Sequence, residues 1–144
     1  MFNQDRDQLR QMFFQAWQKH QANAAMEPLE RLIAEIILQH PEYHMVLNDP
    51  EHHLDREYHA QLGETNPFLH MALHISIHEQ LGTQRPNGIV DLYQALLDRL
   101  KDRHEVEHQM MACLSEMIWQ AQQHQTPPDE SQYLACLDRL LTKY

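Results

Sequence analysis

Most apolar stretches of this chain repeat at three- and four-residue steps, and no window reads as a strand. A period near 3.6 belongs to an amphipathic helix and a period of two to a half-buried strand, so the sequence predicts an all-α fold. Only three glycines occur among 144 residues, which leaves no material for a phosphate-cradling loop and sets nucleotide-binding folds aside. The length suits one compact domain, so a single helical domain over 1–144 is expected, built as a bundle of five to six helices.

Leu9, Met12, Phe13, Ala16, Trp17 and His20 form one stripe of a first helix over about Asp5–Gln21. A second helix starts at Pro28, carries Leu29, Leu32, Ile33, Ile36 and Ile37, and ends its stripe on His40. Pro41 cannot continue it without losing a hydrogen bond, so the run from His40 to His44 reads as a break followed by a new turn. Residues 48–65 form an irregular connector with one short helical turn. Asn66-Pro67 is a strong helix start and Leu81-Gly82 the matching stop. Between them, at about 67–81, apolar side chains surround the helical wheel, which predicts a buried central helix.

Arg85-Pro86-Asn87-Gly88 is a turn, followed by an amphipathic helix from Ile89 to about Lys101. Asp102 with Glu105 has the form of a capping box and opens a helix to about Gln123. A last helix is expected from Thr126-Pro127-Pro128, carrying Tyr133, Leu134, Cys136, Leu137, Leu140 and Leu141.

Twelve histidines stand out against this background. Random placement would put roughly one pair four residues apart, the spacing that aligns side chains on a helix. Four such pairs occur: His40/His44, His70/His74, His74/His78 and His104/His108. Two imidazoles one turn apart can bind one metal ion while the backbone keeps its hydrogen bonds. Burying neutral imidazoles without partners costs on the order of 1–3 kcal/mol each, so His70 and His74 on the central helix need something to satisfy them. A divalent ion, zinc or iron, held by His70, His74, His104 and His108 would do so. His40 or His44 would close the shell, with Glu107 or Glu116 as carboxylate ligand or outer-shell acceptor. His78 is rotated by about 80° from His70 on the wheel and is a weaker ligand. His20, His52, His53, His59 and His124 fall in the connector or near helix ends, where solvent is the expected partner.

His104-Glu105-Val106-Glu107-His108 also matches the short H-E-x-x-H pattern of zinc proteases. Nothing downstream extends it, and Glu105 has a simpler place in the first turn of its helix. Cys113 and Cys136 lack C-x-x-C spacing and are expected to be buried free thiols, which together with an N-terminus unlike a secretory signal points to a cytoplasmic protein. The 21 acidic residues against 11 basic ones give −10 with histidine neutral. Without a basic patch such a chain repels phosphate backbones, so no nucleic-acid partner is expected, and no membrane span is present. Protein partners and self-association are left open.

The stretches from Asn66 to Gln80, His40 to His44, Arg85 to Ile89 and His104 to Gln122 together resemble an uncharacterised proteobacterial family known as domain of unknown function 1841, over about Leu9–Leu140. The resemblance implies a small helical protein and supplies no reaction. More distantly, the histidine pairs are similar to those of metal-binding bundles of the DinB-like and hemerythrin-like kinds, although a single Glu-x-x-His pattern would not furnish the carboxylates of a di-iron centre. A metal-binding helical protein is therefore the leading expectation. A non-enzymatic interaction or regulatory module is the alternative, with a buried histidine network or pH-responsive histidines, since protonating all 12 would turn −10 into +2. A small metal-dependent enzyme of DinB-like type is the third.

Overall fold

A computed structural model of the chain describes residues 2–59, 64 and 66–144, with the side chains of 2–5 excepted. Its α-helices are α1 (Phe2–Gln21), α2 (Pro28–Leu38), α3 (His44–Leu47), α4 (Pro50–His53), α5 (Pro67–Thr83), α6 (Ile89–Leu100), α7 (Arg103–His124) and α8 (Glu130–Lys143), and no strand occurs among the described residues. Two of the eight are single four-residue turns, which is why the periodicity suggested fewer. The chain divides into two compact units, Met1–Ile75 and Ser76–Tyr144.

In the first unit α1 packs along α2, and Phe13, Phe14, Ala16 and Trp17 meet Ile33, Ile36, Ile37, Leu47, Phe68 and Met71. The stripe of α1 is rotated from the expected one: Leu9 and Met12 stand 38% and 37% exposed while Arg10 is buried. Arg10 takes that place because its Nη1 donates to the carbonyls of His53, Leu54 and Arg56 at 3.3, 3.0 and 2.6 Å, and its guanidinium lies 4.8 Å from the Phe68 ring centre. One cation thus satisfies three carbonyls of the connector, which no apolar side chain at that position could do.

The break at Pro41 is real: α2 ends at Leu38, a 3-10 turn follows over Pro41–Tyr43, and α3 starts at His44. The connector contains one helical turn, α4. The expected start of α5 also holds, with Asn66 Oδ1 accepting from the amides of Phe68 and Leu69 at 3.0 and 3.2 Å. Its burial is narrower than the apolar wheel suggested. Phe68, Met71, His74 and Ile77 form one buried stripe, while Leu69 is 58% exposed.

In the second unit α6, α7 and α8 pack on one another around Ile89, Leu96, Val106, Met110, Leu114, Tyr133 and Leu137. Tyr133 Oη donates to Gln80 Oε1 at 2.7 Å, and burial pushes its phenol up. Three expectations change here. α5 runs through Gly82 to Thr83, and Gln84, at φ 58°, supplies the left-handed residue instead. α8 begins at Glu130, not at Thr126–Pro128, because a residue before proline is held out of the helical region and Asp129 caps the amides of Ser131 and Gln132. Cys113 and Cys136 are joined in a disulfide across α7 and α8, with Cα atoms 5.8 Å apart. The two cysteines are far apart in sequence, so only the antiparallel return of α8 brings them within bonding range. The free-thiol premise for a reducing compartment falls with that bond.

Candidate metal centre

At the end of α2 the Ile36 and Ile37 carbonyls accept from the Gln39 and His40 amides at 3.2 and 3.0 Å, and two histidine rings of the following break add a further bond to each. His40 Nδ1 donates to the Ile36 carbonyl at 2.7 Å, and His44 Nε2 donates to the Ile37 carbonyl at 2.9 Å. A carbonyl can only accept, so each contact fixes a tautomer. The basic nitrogen of the neutral ring is Nε2 in His40 and Nδ1 in His44. A histidine anchored through one nitrogen on a backbone carbonyl is the arrangement by which proteins orient metal-binding imidazoles.

The buried His40 ring faces α5. Its centre lies 5.0 Å from that of His70 and 4.8 Å from that of the fully buried His74. The four-residue spacing along α5 brings His70 and His74 together edge to face, with their rings 5.0 Å apart and their Nε2 atoms 3.3 Å apart. His40 and His74 each present a ligand nitrogen within 4.8 Å of the other. Tyr43 closes the group by stacking on His40 at 5.4 Å and meeting the edge of His70 at 5.9 Å. Its phenol is pushed up, first by burial and then by the charge of Glu42. Sequence reasoning did not single out Tyr43, though its position three residues after His40 was the signal that could have found it.

The second unit carries the other histidine pair. Asp102 caps α7 through the amides of His104 and Glu105, which sets the first turn so that the rings of His104 and His108 lie 4.2 Å apart, with a ligand nitrogen of each within 4.8 Å of the other. Next to that pair, buried Glu107 directs Oε1 to His78 Nε2 at 3.0 Å. A buried carboxylate bonded to His78 beside the His104/His108 pair has the chemistry of an outer-shell acceptor, should that pair hold a metal ion.

The remaining candidates have other company. His44 lies with its ring 4.6 Å from Trp17, on which His20 also stacks at 5.5 Å. Glu116 is on the exposed side of α7 and accepts from Gln120 Nε2, as exposed Glu105 does from Gln109 Nε2. His52, expected to face solvent only, donates to Asp49 and holds that carboxyl below its usual range. Burial lowers His53, whose Nδ1 is 3.4 Å from the Tyr58 hydroxyl. No helix among the described residues is long and apolar enough to cross a membrane.

The family described as Domain of unknown function (DUF1841) matches residues 5–139. No curated protein and no solved structure matches the chain.

Proposed function

Since the chain belongs to the DUF1841 family, for which no activity is known, we propose from its own geometry that it is a metal-binding helical protein that takes a divalent ion, zinc or iron. The carrying observation is the 3.3 Å separation of His70 Nε2 and His74 Nε2 beside the oriented ring of His40. Two nitrogens bound to zinc at about 2.0–2.1 Å with tetrahedral angles stand roughly 3.3–3.4 Å apart. His40, His70 and His74 would supply the ligands within the first unit, and His104 and His108 are a further pair of candidate ligands within the second. Glu107 would orient them from outside the ligand set.

The competing reading takes the same 3.3 Å as an N–H···N hydrogen bond in a buried histidine network of an interaction module. It requires His70 and His74 to adopt opposite tautomers. Metal analysis of protein purified without an affinity tag separates the two. The metal reading expects about one zinc or iron ion per chain, loss of that ion in His74→Ala, and a lower unfolding midpoint after chelation. A content far below one, together with a midpoint that chelation does not move, would overturn it in favour of the network. Whether an open coordination position supports catalysis is decided by whether the bound ion admits an exogenous ligand such as azide.

A further inference from the structure

A second feature of the first unit lies apart from the histidines. A pocket of about 290 Å³ opens between α1 and the start of α5, walled by Leu9, Phe68, Leu69 and Ala72 and bearing Arg6, Arg10 and Asn66. Its size is just below that of most ligand sites, which are usually about 300–1,000 Å³, apolar, and furnished with a few convergent polar groups. Leu9 and Leu69 are large apolar side chains left 38% and 58% exposed.

The polar end of the pocket is positive from three directions. The first turn of α5 brings the positive end of its helix dipole, and Arg6 and Arg10 stand one turn apart on α1. Arg10 is only 2% exposed and has no ion pair among the described residues. Nη1 serves the three connector carbonyls, while Nε is buried with no acceptor among the described residues. Asp7 and Asp55 act on this guanidinium as nearby charges, but burying it without a contacting carboxylate is costly. Arg6 is spread over Asp7 and Glu57 at 3.5 and 3.8 Å, distances long for a strong pair.

We infer that this pocket binds an amphipathic monocarboxylate, with the carboxylate at Arg6 and Arg10, near the positive end of the α5 dipole, and an apolar chain or ring along Leu9, Phe68 and Leu69. A carboxylate matches the planar donor fork of a guanidinium and places a negative charge where the unit has a buried positive one. The apolar walls exclude a bare inorganic anion as the preferred occupant. None of the proposed metal ligands takes part, so the inference stands or falls independently of the metal reading.

The test is calorimetric titration of the full chain with decanoate below its micellar range, alongside decan-1-ol and acetate, each of which keeps one half of the ligand. Saturable one-to-one binding of decanoate is expected, with decan-1-ol and acetate each weaker by roughly tenfold or more, the worth of a charge-assisted contact or of the buried chain. Arg6→Gln and Leu69→Asp alter exposed or half-exposed positions and should each weaken decanoate by roughly fivefold to tenfold while leaving the helical circular dichroism intact. Equal binding of decan-1-ol and decanoate would overturn the inference, as would decanoate binding that neither substitution changes.

Discussion

At the scale of single residues, His40 and His44 show how equal sequence signals part. Both lie in the same short break, and both cap α2 through a ring nitrogen. His40 turns its other edge to His70 and His74, whereas His44 packs on Trp17. His44→Ala should therefore lower stability by about 1–2 kcal/mol through the lost hydrogen bond and ring contact and leave metal content unchanged. His40→Ala should lose metal as well. Denaturation midpoints and metal analysis on the two variants check the pair, and equal metal loss in both would refute the distinction. The four-residue spacing made His70/His74 and His104/His108 legible, because that period is built into the helix itself. Which of His40 and His44 faces them was not legible, since a 3-10 turn has no period that sequence pattern can follow. Arg10 was hidden for a different reason: a buried cation is justified only by the carbonyls of His53, Leu54 and Arg56, more than 40 residues away.

At the scale of elements, the starts of α5 and α7 were legible from their capping residues, whereas the start of α8 and the stop of α5 were not. Asn66 and Asp102 cap their helices as their side-chain chemistry dictates, while Gly82 is passed over by α5, which ends at Thr83 before Gln84 in the left-handed region. Gly88, at φ 95°, is the glycine the turn requires. Asp129 offers a pH test of a cap. Its carboxyl is held below the ordinary 3.8, first by the Ser131 hydroxyl and then by the Gln132 amide. A carboxylate depressed by folding stabilises the native state fully above its unfolded pKa, and that stabilisation is lost as pH falls through the lowered folded value. Stability should thus fall on acidification below about pH 4. Asp129→Asn keeps a capping oxygen but cannot titrate, so its urea midpoint should drop less than that of the parent chain between neutrality and about pH 3. An equal drop would place the acid sensitivity elsewhere.

At the scale of the whole molecule, the all-helical class followed from periodicity, whereas the division at Ile75 and Ser76 lies inside α5, where no linker composition marks it. The cysteines carry the same lesson: a bond between residues 23 apart depends on how α7 and α8 return past one another, which no local pattern encodes. That bond should matter to the second unit. Closing a loop of that length removes unfolded-state entropy worth about 3 kcal/mol in the chain-entropy account, a large share of the roughly 5–15 kcal/mol available to a domain. Trp119 lies in α7, between the bridged Cys113 and the end of that helix, and Trp17 belongs to the first unit. In a Trp17→Phe background, Trp119 fluorescence would then report urea unfolding of the bridged helices. Reduction, or replacement of both cysteines by serine, should lower that transition by an amount close to the loop-closure figure, while circular dichroism in the absence of denaturant stays helical. An unmoved Trp119 transition would mean that Met110, Leu114, Tyr133 and Leu137 hold α7 and α8 together unaided, with the disulfide following the fold rather than supporting it.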